Sequence, residues 1–439
     1  MKQQMMRRTA VVLAAVFLAG CTAPEIILPG KREAVIAPID QAQIDKAAAL
    51  EGAGLETATS LNLAGHVGGD SGHAGGHRTF EGQGRTLWSA RIAGAGDATV
   101  ELAVPVVSDG RVLALGADGL LSAFDLANGK EAWSHALTVR DDDPLPGVAG
   151  GIAANDEFVL AHAATKTLTA LDVRSGEMRW EITHREPLRG GPTLVGERGV
   201  AVTDINGRIY VYRTDDGSLV WQRTGVPSNT VVFGTPAPAY AFGQLVVAGS
   251  GGEVSVHDAA TGDLSWADSL ASFNPRTPVE QLGDVRAHPV IHDQQVFFVS
   301  QSGRMVAYQL NAGFQLWEFP VSSIEMPWVA GASIFVVTLD GRLYNLRRED
   351  GAVRWVAELP GALPAGVVPG GTVPRFVGPF VSNDQVHVIS KSGRLYSFDA
   401  DSGSAVGDFN VGQNITTPPQ LADGKLIVLS ANGQLRVFE

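Results

Sequence analysis

Only one cysteine occurs in the 439 residues. It cannot form an intrachain disulfide, and it excludes a zinc site of several thiolates or an iron–sulfur cluster held by cysteines alone. Positive charge is scarce as well: 33 Lys and Arg stand against 46 Asp and Glu, a net charge of −13. Nucleic-acid binding wants a basic face, so this balance argues against that class. Charged residues of both signs make up 18% while hydrophobic residues reach 45%, which excludes a disordered chain. Long apolar runs are also missing. The uncharged stretch Ala10 to Ala19 is too short to span a bilayer as a mature helix. There is no H-E-x-x-H pair, no Walker loop and no Ser–His–Asp signature.

What is present begins with an address. Lys2, Arg7 and Arg8 precede the apolar run, the layout of a secretory signal over residues 1–20. The single cysteine, Cys21, closes Leu18-Ala19-Gly20-Cys21, which resembles the bacterial lipoprotein box. That resemblance implies lipidation of Cys21, and Thr22 in place of the Asp of inner-membrane retention implies the outer membrane. An ordinary signal with a chance cysteine is the alternative. Removing Lys2, Arg7 and Arg8 takes the net charge from −13 to −16. Anionic lipid repels such a surface, so acyl chains on Cys21, each buried CH₂ contributing roughly 0.8 kcal/mol, would do the holding.

Residues 21–85 read as a lipidated cysteine and a flexible tether. Pro38 to Leu50 has the pattern of a short helix, and Gly65 to Gly84 is glycine-rich with His66, His73 and His77. Three histidines in twelve residues can bind a metal, but a flexible linker does not preorganise a site.

Residues 86–439 repeat. Trp133, Trp180, Trp221, Trp266, Trp317 and Trp355 each stand four after a glycine (Gly129, Gly176, Gly217, Gly262, Gly313, Gly351), at spacings of 47, 41, 45, 51 and 38. A seventh copy keeps Gly403 but carries Gly407 at the Trp place. Upstream lie Asp118-Gly119, Asn206-Gly207, Gly251-Gly252, Ser302-Gly303, Asp340-Gly341, Ser392-Gly393 and Asn432-Gly433, which fit tight hairpins needing φ > 0 at both turn residues; the second copy has Lys166 at the Gly place. Eight β-branched runs precede these turns, from Val112-Leu113 to Leu426-Ile427-Val428-Leu429. Four short strands per roughly 44 residues make a propeller blade. The expected fold is all-β: an eight-bladed β-propeller with four antiparallel strands per blade. The last unit stops at Glu439 one strand short, and Thr86-Leu87-Trp88-Ser89 supplies an N-terminal strand to complete it and close the ring.

The repeated Trp residues are expected to pack between blades, and Asp125, Asp172, Asp258 and Asp399 to make local turn hydrogen bonds. Trp328, outside the repeat, is either packing or a surface anchor. His257, His288 and His292 are the closest histidine set in the ring, and their placement follows strand ends.

Ala123-Phe124-Asp125 through Gly129 and Trp133 resembles the tryptophan-docking repeat of quinoprotein dehydrogenases, which hold pyrroloquinoline quinone and calcium. Their adjacent cysteine pair cannot exist here, and no full ligand set is recognisable. A lipoprotein with eight such repeats resembles the BamB family of the outer-membrane β-barrel assembly machinery. The likeness covers signal, anchor and ring. In Gln281-Leu282-Gly283-Asp284-Val285-Arg286, Leu282, Asp284 and Val285 match the family's Arg-Leu-x-Asp-Val-Asp grip on the barrel subunit BamA, while Gln281 and Arg286 depart from it. Val232-Phe233-Gly234 stands where the family has Leu-Arg-Gly, and only Gly234 matches. The resemblance implies partner binding through Val232, Phe233, Leu282, Asp284 and Arg286; the plainer alternative is that both loops merely connect strands. It implies a non-catalytic scaffold, with no cofactor and no metal. Such a scaffold sits at the periplasmic face of the outer membrane, binds a BamA-like subunit and other subunits, and meets unfolded outer-membrane proteins as clients. The runner-up readings are a quinone-dependent dehydrogenase and an envelope ligand-binding propeller.

Overall fold

The computed structural model describes residues 43–80, 84–92, 102–139, 150–225, 236–249, 251–271, 285–363 and 375–439, all within one unit, Ile39–Glu439. Its strands form eight antiparallel sheets of four. Blade 1 runs Val106–Ser108, Arg111–Leu115, Leu120–Asp125 and Glu131–Ala136, from the axis outward. Inner strands are mostly buried, as in Val106–Ser108, whereas outer strands alternate toward solvent, as in Met178–Thr183. Blade 8 joins Gln420–Ala422, Lys425–Leu429 and Gln434–Phe438 to the early strand Thr86–Arg91. One buried cluster unites Trp88, Val107, Val112 and Phe124 with Ile427, Leu429, Leu435 and Val437, so blades 8 and 1 close the ring as the sequence implied.

Each Trp of the outer strands docks on the next blade. Its indole N–H donates to a backbone carbonyl there: Trp88 to Leu126 at 2.8 Å, Trp133 to Val173 at 3.1 Å, Trp180 to Thr214 at 2.7 Å, Trp221 to Ala259 at 2.9 Å. Trp266 to Leu310, Trp317 to Arg348 and Trp355 to Ala400 continue the series at 2.6, 2.9 and 2.8 Å. The ring lies on the neighbour's turn glycine: a Cβ on Gly262 would come within 2.6 Å of Trp221, and its φ of +76° disfavours a side chain as well. The turn carboxylates bond locally as expected. Asp172 Oδ1 accepts from the Arg174 and Ser175 amides, and Asp258 Oδ1 from those of Ala260 and Thr261.

Three expectations change. First, the primed two-residue hairpins are not at Asp118-Gly119, where only the glycine has positive φ, but one turn earlier. Asp109-Gly110 (φ +47° and +68°) and Asp423-Gly424 (+48° and +66°) connect the first and second strands. Second, the blade 7–8 interface is not left bare by Gly407. Phe409, on the same strand, packs at Gly84 and against Phe438 at 6.3 Å between ring centroids. Gly84 stands four before Trp88, so it is the turn glycine of blade 8, and backbone bonds between Arg85 and Glu439 complete that turn across two chain segments.

Third, the expected loose tether is, over residues 43–80, part of the fold. After the helix Lys46–Leu50, capped by Asp45, the chain binds the inner strands one blade at a time. Leu61 O takes the Asp423 amide of blade 8, and Ala64 exchanges two bonds with Val107 of blade 1. Gly65 O takes Ala154 of blade 2, and His66 Nε2 takes the Leu194 amide of blade 3 at 3.0 Å. Ser71, Gly72, Gly76 and Arg78 then meet Tyr240, Ile291, Val329 and Val381 of blades 4 to 7. The thread thus visits the whole ring in order, pairing groups on the inner edges that would otherwise lack partners. Its glycines serve close approach: a Cβ on Gly65 would sit 1.9 Å from Ala154 O, and one on Gly75 2.4 Å from the Trp328 ring. Trp328 is buried beneath this thread, its N–H bonded to Gly76 O at 2.7 Å, which decides for packing over a surface anchor.

Candidate partner-binding face and axial cavity

Antiparallel strands put the first and third turns of every blade on one face, where Leu126 N bonds Gly110 O and Ala259 N bonds Gly243 O. The second turn and the blade-to-blade connections share the opposite face, where Leu137 N bonds Gly119 O and Leu270 N bonds Gly252 O. The sequence-selected residues stand in the chain between blades 3 and 4 and between blades 4 and 5. Cys21, Val232, Phe233, Leu282 and Asp284 lie outside the described residues.

Arg286 is described, four residues before the inner strand Val290–His292. Val285 and Ala287 beside it are buried, and Arg286 itself lines a cavity on the channel axis. Burial pulls its basicity below the ordinary arginine range, with Arg375 adding repulsion and Glu325 opposing both. Glu325 is pushed up to about 7 by burial, against the pull of Arg375 and Arg286. Sequence reasoning did not select Glu325 or Arg375. Both stand where a blade connection enters an inner strand, Glu325 three before Trp328 and Arg375 one before Phe376, as Arg286 stands four before Val290.

The thread contributes His66, Val67 and His73 to the same cavity, and His288 completes its polar lining. His66 is lowered to about 3 by burial, then by His73. His288 is lowered to about 3 by burial, with His73 and Arg286 adding to the effect. All three histidines are therefore neutral at pH 7. His77 is held elsewhere, its Nδ1 at 2.6 Å from Glu56 O and its Nε2 accepting the Asp384 amide at 3.0 Å. His257 is tied to Gly262 and Ser255, and His292 sits beside Asp293. No group of three metal-ligating side chains forms among the described residues.

A Ser–His contact does occur. His387 Nε2 lies 2.9 Å from Ser382 Oγ, and its Nδ1 lies 2.9 Å from Ser397 Oγ. All three side chains are buried, and a hydroxyl rather than a carboxylate faces Nδ1, so the trio ties three strands of blade 7 together.

Comparison with known proteins supplies what geometry alone does not. The family model described as outer membrane protein assembly factor BamB matches residues 79–144 and 136–357. The curated protein of that name from Shewanella oneidensis is 26% identical over 359 residues, covering 80% of this chain and 87% of its own. That of Escherichia coli K12 is 25% identical over 355 residues, covering 79% and 87%. Among solved structures, BamB from Moraxella catarrhalis superposes with a TM-score of 0.65 at 20% identity, over 81% of this chain and 99% of that one. Quinohemoprotein alcohol dehydrogenase from Comamonas testosteroni reaches the same TM-score at 13% identity, over 90% and 84%. The architecture is thus common to an assembly factor and an oxidoreductase, and it does not choose between them.

Proposed function

The chain belongs to the BamB family of outer membrane protein assembly factors, and on that premise we propose that it is a non-catalytic scaffold of the machinery that inserts β-barrel proteins into the outer membrane. The observation that carries this is the family match across residues 79–357, which takes in most of the ring and both candidate loops. In this reading Cys21 is lipidated and holds the protein at the periplasmic face of the outer membrane. Twenty-one residues separate Cys21 from residue 43, so the fully extended link reaches at most roughly 75 Å.

The partner is the periplasmic part of a BamA-like barrel subunit. Asp284 and Leu282 supply a carboxylate and an apolar contact, Val232 and Phe233 an apolar patch, and Arg286 a cation at the rim of the axial cavity. An aromatic anchor beside a charge is the composition of a binding hot spot. Unfolded clients are a further class of partner.

Co-purification in mild detergent tests the proposal. The Cys21-anchored protein should recover the BamA-like subunit, and Asp284→Lys should lower that recovery with the melting temperature unchanged. Loss of the barrel subunit from the wild-type preparation would overturn the scaffold. An equal fall in melting temperature would make Asp284 a structural residue instead.

A further inference from the structure

The place of the missing tryptophan in blade 7 carries a second inference, independent of the partner. In blade 6 the ladder runs Trp355, Asn345, Phe335 from the outer strand inward, and in blade 5 Trp317, Ala307, Phe297. The indole rests beside the ring at the inner place, at 5.9 Å between centroids in blade 6 and 6.0 Å in blade 5. The same ladder in blade 7 reads Gly407, Ser397, His387. Among the described residues, a Cβ on Gly407 would meet nothing within 4 Å. The φ of Gly407 is outside the left-handed region, so the backbone does not demand glycine there. Phe409 starts two residues further along the strand, and its ring goes to Gly84 and Phe438, leaving the space beside Gly407 open.

That space is a slot of about 220 Å³. Three rings line it: Phe409 of the outer strand, His387 of the second strand, and Phe80 of the thread, whose amide is held by Asn383 Oδ1 at 3.3 Å. Every other blade has an apolar residue at the place of His387, from Leu113 in blade 1 to Ile427 in blade 8. Burial lowers His387 to about 4, so its imidazole is neutral at pH 7, and Ser382 and Ser397 occupy its nitrogens. It offers the slot an uncharged ring. Rings packed on rings gain stability beyond the area they bury, and a cavity left where a large side chain is missing can take up a small aromatic molecule.

We infer that the slot at Gly407 binds an aromatic ring of indole size supplied from outside the chain. The other seven blades supply that ring from their own outer strand.

Fluorine NMR of 5-fluoroindole titrated with the purified full chain at pH 7 tests this, with no interference from the protein's own tryptophans. The probe should show saturable binding of one equivalent. Gly407→Leu, which puts a side chain into the slot at a permitted φ, should abolish it. Cyclohexanol should displace the probe from wild-type protein at least fivefold less effectively than unlabelled indole, because it lacks the aromatic contact. Displacement by N-acetyltryptophanamide would assign the slot to a tryptophan side chain of a polypeptide, and its failure beside displacement by indole would assign it to a free ring. The comparison of indole with cyclohexanol stands even where Gly407→Leu folds poorly. No saturable binding, binding unchanged in folded Gly407→Leu, or equal displacement by cyclohexanol overturns the inference and leaves a groove holding water only.

Discussion

The thread's attachment depends on a histidine that must stay neutral, and this gives a pH dependence with a definite sign. His66 Nε2 accepts the Leu194 amide, and burial, with His73 close by, lowers its pKa from 6.5 to about 3. Released from the ring, the side chain returns to its ordinary value. Docking is therefore unaffected above pH 6.5 and is penalised as pH falls through 6.5 toward 3. Each unit in that window costs about 1.4 kcal/mol for this one group. Between pH 7.5 and 5.5 the thread loses about 1.4 kcal/mol, or tenfold in the docked-to-undocked ratio, from His66 alone. His73, also lowered, adds to the loss. Amide hydrogen exchange at Ala154 and Leu194, corrected for intrinsic rates, reads this directly, because both amides donate to the thread. Protection should fall at least tenfold over those two units. His66→Gln offers an acceptor that does not titrate, so its protection should fall by a correspondingly smaller factor. An identical fall in wild type and variant would refute the reasoning.

Three substitutions test the ring. Trp266→Ala removes the ring that lies on Gly313 and the bond to Leu310 O, and should cost about 3–5 kcal/mol in urea unfolding; a loss below about 1 kcal/mol would mean that blade docking rests elsewhere. Gly262→Ala places a Cβ within 2.6 Å of Trp221 at a φ of +76° and should destabilise by about 1–3 kcal/mol in the same assay, with a neutral result counting against that contact. Phe409→Ala should weaken the seam between blades 7 and 8 by about 1–3 kcal/mol, and calorimetry showing no change in melting temperature would remove Phe409 from the role of docking residue.

The ring was legible because its period is carried by residues that few others can replace. Trp needs a neighbour's glycine beneath it, and the turn glycine needs positive φ, so the Gly–Trp spacing survives in every blade that uses it. The strand that contains Trp88 was legible for the same reason, although its own glycine, Gly84, escaped notice because the pair stands alone before the first unit. The thread was not legible. Its glycine content reads as flexibility, since composition reports what a backbone is free to do and not what it is bonded to. Only the inner edges of eight separate strands, distant in sequence, make that backbone a bound one. Arg286, Glu325 and Arg375 escaped for a related reason. Their meeting on the axis comes from ring closure, and three isolated charges at blade entries carry no local pattern.

A closed ring of sheets leaves two places where backbone groups lack partners: the seam, where one blade is made of two chain segments, and the inner edges around the axis. The early part of the chain serves both. Thr86–Arg91 pairs with Gln434–Phe438 at the seam, and Leu61 to Phe80 pairs around the axis. The seam interface also docks through a different ring. Seven blades present an indole whose N–H donates to the carbonyl of the residue after the turn position held by Asp125 in blade 1. At the seam that turn is shared between two segments, Arg85 and Glu439 exchanging backbone bonds with Gly84 beside them. Phe409 of blade 7 docks there, with a ring that meets Gly84 and Phe438 and no N–H that needs a carbonyl, so this interface holds by ring packing where the others add a hydrogen bond.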